Sequence, residues 1–324
     1  MSIAHLLIDQ PTLSQSSRIA AGLVNPVVLK RLKAVHDAQQ FIEEALPFYE
    51  DIEKQANSQF LHSIPVQHIL QSQEEQNNWH TRSMHPSLSP FLNPTLKKET
   101  LKHIPAPYGL GEVWQSFWVN TPHFLAAHKE VLAKHILAFG INSENIDLER
   151  KTLTLNDRQY SFDYLVDCSG HLARALHPEL EQVFTPTRGE VLIIKAPSLD
   201  ESKLLHAGIF ILPLGNQLFK VGATYHWDTL EDKPTPEGRE KLITELEKIY
   251  SGQYEVIEHL AGVRPNIKDR KPLLGQLKKG LYMFNGMGSR AVLMAPYLAD
   301  LLINHVEQKT PLPKEYDLNR FSIF

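Results

Sequence analysis

The stretch Leu281-Tyr282-Met283-Phe284-Asn285-Gly286-Met287-Gly288-Ser289-Arg290 runs an apolar strand into a glycine turn, and residues 296–306 follow with Leu298, Leu301 and Leu302 on one helical face. Strand, turn and helix in direct succession form the repeating unit of an α/β sheet. A similar apolar run opens the chain. His5-Leu6-Leu7-Ile8-Asp9 ends in an acid, is stopped by Gln10-Pro11, and reads as a buried strand. Between these ends, residues 191–195, 209–212, 219–224 and 254–260 read as strands, while 146–148, 153–155 and 165–168 read as a small meander leading back to a buried strand. Helical layers at both ends around a strand-rich middle predict a mixed α/β chain: a Rossmann-like nucleotide-binding domain into which a second domain, with a mixed sheet, is inserted. We place the first domain at 1–45, 105–185 and 262–324, and the inserted one at 46–104 and 186–261.

Three helices are predicted from periodicity and caps. In 35–55, Ala38, Phe41, Ile42, Ala45, Tyr49 and Ile52 recur at helical spacing, with Pro47 expected to kink or restart the helix. Thr121-Pro122 reads as the cap and first turn of a helix that ends before Gly140, and Thr235-Pro236 as the start of another reaching about residue 250. Residues 71–97, polar and broken by Pro86, Pro90 and Pro94, read as a surface excursion with little regular structure.

Composition narrows the function classes. A chain of 324 residues with 42% hydrophobic residues exceeds the usual single domain. With 33 basic against 37 acidic residues, a net charge of −4, and no basic run interleaved with aromatics, a nucleic-acid surface is not expected and a small-molecule substrate is. No apolar run approaches the roughly 18 residues of a membrane span, and no basic leader precedes an apolar stretch at the start. Cys168 is the single cysteine, so no internal disulfide or cysteine metal site is expected, a reducing cytoplasmic setting fits, and Cys168 itself reads as a small buried hydrophobe. The 16 histidines raise a zinc hydrolase as an alternative, but His123, His128 and His135 stand at i, i+5 and i+7, which does not set two ligands side by side, and no metal is expected. A homo-oligomer is compatible with the sequence.

Three clusters carry chemistry. Asp9 ends the first strand and is followed by Ser16-Ser17 and Ala20-Ala21-Gly22; an acid there can accept from ribose hydroxyls, or be a plain turn residue. The strand ending in Asp167-Cys168-Ser169-Gly170 breaks where a bare backbone can approach a phosphate or ribose, or is merely a strand end. The sharpest is Gly262-Val263-Arg264-Pro265, which holds an arginine fork rigidly enough to receive a carboxylate, or to form an internal ion pair.

These pieces, with Thr187-Arg188-Gly189-Glu190, Val221-Gly222-Ala223-Thr224 and Pro272-Leu273-Leu274-Gly275, resemble in order and spacing the D-amino-acid oxidase superfamily, in the style of glycine oxidase, from Leu6 to Val306. The resemblance implies FAD as cofactor and oxidation of a carbon–nitrogen bond in a small amine or amino acid. It implies Arg264 as the carboxylate-binding residue, and Gly286, Met287, Gly288, Ser289 and Arg290 as the turn near the flavin's pyrimidine side. Arg188 and Gly189 belong to the segment beside the isoalloxazine ring, and Asp9, Ser16, Ser17, Ala21, Gly22, Ser169, Gly170 and Gly262 are further cofactor-side residues. Phe210 stands where glycine oxidase has a tyrosine near the substrate, and Tyr225 lines the same expected pocket with His226 and Trp227.

One departure concerns the whole cofactor site. Gly-x-Gly-x-x-Gly occurs nowhere, and the resemblance places it in a strand, turn and helix of roughly 25 to 30 residues ahead of Leu6. Two expectations follow: a glycine-rich unit upstream of Met1 in the native chain, or a degenerate member that has lost FAD and serves as a binding or regulatory module. The glycines near Arg264 and Gly286 favour the first, because without a cofactor nothing in the sequence demands them.

Overall fold

The protein is described from a computed structural model, over residues 5–9, 16–131, 136–138, 145–155, 157–227 and 230–321. Gln10, Pro11, His135 and Gly140, used in the sequence reading, lie outside these. In chain order the elements that position the site are β1 (Leu7–Asp9), α1 (Ser16–Ile19), α2 (Ala38–Ala56), β2 (Val66–Ile69), α3 (Gln73–Ser83), β3 (Leu110–Val113), α4 (Thr121–Val131), β4 (Ile136–Ala138), β5 (Leu165–Asp167), β6 (Thr187–Lys195), β7 (Leu204–Ala207), β8 (Ile209–Gly215), β9 (Leu218–Gly222), α5 (Pro236–Glu247), β10 (Glu255–Arg264), β11 (Leu273–Lys278), β12 (Leu281–Asn285) and α6 (Ala291–Gln308). The mixed α/β architecture agrees with the sequence reading.

A seven-stranded mixed sheet, in the order β10-β6-β9-β8-β7-β2-β3, forms the middle of the molecule; only β7 and β2 run parallel. One face is closed by α5, where Leu242 and Leu246 bury against Leu192, Ile194, Phe219, Val221 and Ile211. The opposite face turns towards the larger core, which gathers α2, α6, Val66, Val113, Leu204 and Leu212. Among the smaller sheets, β1 pairs parallel to β4, and β5-β12-β11 form a second, with β5 and β12 parallel.

Local chemistry explains both agreements and corrections. The helix α5 starts as read, its Thr235 hydroxyl accepting from the Gly238 N–H at 3.1 Å with Pro236 in the first turn. The helix α2 runs unbroken through Pro47, against expectation. Pro47 is exposed, so water can serve the carbonyl it leaves without a donor, while the opposite stripe from Ala38 to Ile52 is buried, each large side chain there being worth roughly 1.5–3 kcal/mol. The helix α4 is described from Thr121 to Val131, and Ile136–Ala138 pairs with β1, supplying its backbone with partners. The strand β1 is not buried, with Leu7 37% exposed. Nor is 71–97 an unstructured excursion: Ser72 caps α3 by accepting from Glu75, the Glu75 carboxylate accepts from Gln71, and Trp79, Leu88 and Leu92 are fully buried. No helix among the described residues is long and apolar enough to cross a membrane.

Candidate active site

Register decides which side chains share a surface, because cross-strand partners point to the same face and successive residues alternate. Thr187 pairs with Arg264, Gly189 with Gly262 and Val191 with Leu260, so Arg264 shares a face with Gly189 and Val191. Val191 pairs with Gly222, and Gly222 with Phe210, which extends that face two strands further. Its glycines make it flat. A Cβ at Gly189 would fall inside the Arg264 guanidinium, and one at Gly222 would lie 3.1 Å from the Phe210 ring and 2.7 Å from Val191. The guanidinium therefore lies down over β6, and the phenyl ring over β9.

Tyr225 covers the other side of Arg264, its ring centre 4.3 Å from Cζ, a cation–π contact worth about 0.5–2 kcal/mol. One edge is fixed, since Nη1 donates to the Thr224 carbonyl at 3.3 Å. Thr224, itself buried, is held by Glu190, whose N–H donates to the Thr224 hydroxyl and whose carbonyl accepts from the Thr224 N–H. Arg264 is thus held between Gly189 and Tyr225, and among the described residues the Thr224 carbonyl is the one acceptor that its N–H groups meet. Among the described residues no carboxylate lies within ion-pair distance of Arg264 or of Arg290, and the internal ion pair entertained for Arg264 is not formed. Desolvation holds both guanidinium groups below their ordinary value, with the nearby Tyr225 acting in the opposite direction on each. Arg264, Tyr225 and Arg290 therefore share one neighbourhood.

The turn that follows β12 joins this neighbourhood as the sequence suggests. Asn266, two residues after Arg264, bridges to Met287, and its side-chain amide donates to Thr187 at 2.7 Å. Asn285 donates to the Gly170 carbonyl at 3.0 Å, tying the ends of β12 and β5 together. The glycines here have protein neighbours that account for them: a Cβ at Gly286 would strike Ile267, and one at Gly288 would strike Asn266. Packing alone demands them, which corrects the inference that only a cofactor would. Ser289 is exposed beside them.

Most of the other sequence-predicted residues are accounted for by protein neighbours. Arg188 sits one residue out of phase with Gly189, so its side chain occupies the opposite face and meets Glu190 at 3.2 Å; it does not reach towards Arg264. The Asp9 carboxylate is in contact with Lys129. Gly22 packs against the Val119 carbonyl and Gly262 against Ser16, a Cβ at Gly262 lying 3.0 Å from Ser16 Cα; Ala21 leans on the larger core and Ser17 is exposed. Cys168 is exposed as a residue at the end of β5, while desolvation, with Asp167 adding to it, pushes its thiol up to about 12. Tyr225 is 49% exposed and Trp227 62%.

Lys220 escaped the sequence reading. It stands two residues before Gly222 on the Arg264 face, is buried, and donates to the carbonyls of Ile19 and Ala20 at 3.2 and 2.9 Å; desolvation pushes its pKa down to about 8. The only sequence signal was a lysine inside the apolar run Leu218-Phe219-Lys220-Val221.

Whether the residues fit the implied FAD is tested at the end of β5. Among the described residues His171 Nδ1 is buried without a hydrogen-bond partner, the Ser169 hydroxyl is buried beside the Asp167 carboxylate, and Gly170 between them, at φ +65°, has nothing within 4 Å of where a Cβ would stand. A buried orphan polar atom beside an open backbone suits a ribose or phosphate, and in this respect the residues fit the cofactor.

Comparison with known proteins agrees. The family model described as FAD dependent oxidoreductase, DAO, matches residues 5–305. Glycine oxidase from Geobacillus kaustophilus superposes with a TM-score of 0.78 over 98% of this chain and 90% of its own, at 18% identity. Iminodiacetate oxidase from Chelativorans sp. BNC1 does so with 0.77 over 97% and 93%, at 16% identity. Among curated proteins, the tRNA 5-methylaminomethyl-2-thiouridine biosynthesis bifunctional protein MnmC of Idiomarina loihiensis is 28% identical over 165 residues, 48% of this chain; the match spans only 27% of that relative's length.

Proposed function

Because this chain belongs to the DAO family of FAD-dependent oxidoreductases, we propose that it oxidises the C–N bond of a small amine or amino acid to an imine, and that Arg264 holds the substrate's carboxylate. The observation that supports this reading is a guanidinium held between Gly189 and Tyr225, a tyrosine that also acts on Arg290, with no acid among the described residues to neutralise either arginine. Half-buried charge left uncompensated is costly, and an anionic ligand offsets it.

When bound, FAD supplies the two-electron acceptance that the substrate carbon requires. What this chain's own residues do is position. Arg264 offers its in-plane N–H groups to a carboxylate, Thr224 keeps that plane from turning, and Phe210 walls the floor over Gly222. Ser169, Gly170 and His171 hold the cofactor's polar part. In this reading residues 1–45, 105–185 and 262–324 form the FAD-binding portion and 46–104 and 186–261 the substrate-binding portion, with the site where the two meet.

In the FAD-loaded protein, Arg264→Ala raises KM for an amino-acid substrate about 100-fold and leaves KM for an uncharged amine within a few-fold. Equal changes for both would remove Arg264 from the carboxylate role. A second reading, a family member that serves as a binding module without FAD, is favoured by the protein packing that accounts for Gly286 and Gly288. Stoichiometric flavin absorbance in the purified protein excludes it.

A further inference from the structure

The acid that ends β5 is already engaged within the fold. The Asp167 side chain is 9% exposed; its Oδ2 meets His177 Nε2 at 2.6 Å, and its Oδ1 accepts from the Ser169 N–H at 2.7 Å. His177 is fixed in turn between two helical turns, 173–176 and 178–180: its N–H donates to the Ala173 carbonyl at 2.9 Å, and its carbonyl accepts from Leu180 at 2.9 Å. Burial pushes the Asp167 carboxyl up, but the bonds from His177 and Ser169 outweigh it and hold the group below its ordinary value, so it is ionised at neutral pH. Glu179, another acid near this imidazole, has Lys278 at 2.7 Å.

An ionised carboxylate can only accept, and this fixes the protons around it. His177 Nε2 carries a hydrogen. The Ser169 hydroxyl, buried beside the same carboxylate, turns its hydrogen there, and its oxygen is left as an acceptor with no donor among the described residues to fill it. A phosphate oxygen, itself an acceptor and charged, would meet that oxygen with a carboxylate behind it. A sugar meets it better. One hydroxyl donates to Ser169 Oγ, and it or its neighbour serves His171 Nδ1, the buried orphan on the other side of Gly170, in either tautomer. The approach over Gly170 is open, and Asn285 holds the Gly170 carbonyl at 3.0 Å. Asp9, the acid expected from the sequence to accept from ribose hydroxyls, is in contact with Lys129.

We infer that the turn Ser169-Gly170-His171 takes sugar hydroxyls of the cofactor, from its ribose or its ribityl chain, and not its diphosphate, and that Asp167 and His177 are the positioning residues that set Ser169 as the acceptor. The inference rests on the cofactor reading of this turn.

Calorimetric titration of the flavin-free protein tests it with FAD, with FAD lacking both hydroxyls of the adenosine ribose, and with FADs lacking one ribityl hydroxyl at a time. One of these deoxy analogues binds about tenfold or more weakly than FAD, and it identifies the sugar. The gap closes to within about threefold in Ser169→Ala and persists in Ser169→Thr, which keeps the hydroxyl. In His177→Leu, where Asp167 is free to turn from Ser169, the gap narrows likewise, and His177→Gln, which returns an N–H to Asp167, restores it. A scaffold role alone would weaken FAD and analogue equally and leave their ratio unmoved. Equal binding of FAD and every analogue, or a gap undiminished in Ser169→Ala, overturns the inference while the cofactor reading stands. An unchanged ratio in His177→Leu removes Asp167 and His177 from the role; should that variant fail to fold, His177→Asn, whose amide falls short of Asp167, takes its place. If the unaltered protein binds no FAD, the cofactor reading falls and the inference with it.

Discussion

Arg188 and Arg264 stand on neighbouring strands one residue out of phase, and that single step separates a structural arginine from one open to a ligand. Arg188 is buried against Glu190, whose fully buried carboxylate also meets His259 at 2.8 Å and accepts from the Thr235 N–H and hydroxyl at 3.0 and 2.8 Å. Arg264, on the other face, has Gly189 and Tyr225 against it and, among the described residues, no acid. Breaking the neutralised side gives the largest effect: Glu190→Ala leaves Arg188 buried without its counter-ion and costs about 3–5 kcal/mol in urea unfolding. The double change Arg188→Met, Glu190→Leu recovers most of this, because no unpaired charge remains. A loss below about 1 kcal/mol in the single variant would make the two arginines equivalent.

Lys220 sharpens the contrast, because it is a third cation on the Arg264 side without an acidic partner among the described residues. Its pKa in the folded state, about 8, lies below the ordinary 10.5 of the unfolded chain. The unfolded chain then binds the proton more tightly, so stability rises as pH climbs from about 8 towards 10.5, by up to about 3 kcal/mol. Lys220→Met flattens this window and leaves the profile below pH 8 parallel to that of the unaltered protein. Identical slopes in the two proteins between pH 8 and 10 would mean that the ammonium is hydrated where it stands.

Arg264 was legible because its signal is local: Gly-x-Arg-Pro fixes a turn within four residues, and the Gly286 turn announces itself in the same way. The destination of Arg188 was not. Its face depends on the pairing of 187–195 with 255–264, and one residue of register reverses every side chain. The contact between His68 and His206 joins segments 138 residues apart and leaves no mark in either. Trp79 was hidden differently, as the sole large apolar group on a polar helix among prolines, although Ser72 and Glu75 spelled the cap. Pro47 misled because a propensity rule took no account of a buried stripe on the far side of the helix.

The absence of an acid also predicts that Arg264 contributes little to stability. Arg264→Leu removes a desolvated cation, loses the contact with Tyr225, and shifts the unfolding free energy by no more than about 1 kcal/mol in either direction. A loss comparable to that of Glu190→Ala would show that Arg264 is neutralised within the fold after all.

The most specific change is made at Gly189. Gly189→Ala keeps every charge and, at a strand position without positive φ, adds no backbone strain, but its methyl group occupies the space where the Arg264 guanidinium rests. The guanidinium must lift towards Tyr225 and lose its bond to the Thr224 carbonyl, so a carboxylate ligand loses about tenfold in affinity while the unfolding free energy moves by about 1 kcal/mol. Ser at the same position has the same effect, and Arg264→Ala placed on top of Gly189→Ala adds less than it does alone, since the two changes disable one contact. Additive losses in that cycle would mean that Gly189 acts on the ligand by some route other than the plane in which it lays Arg264.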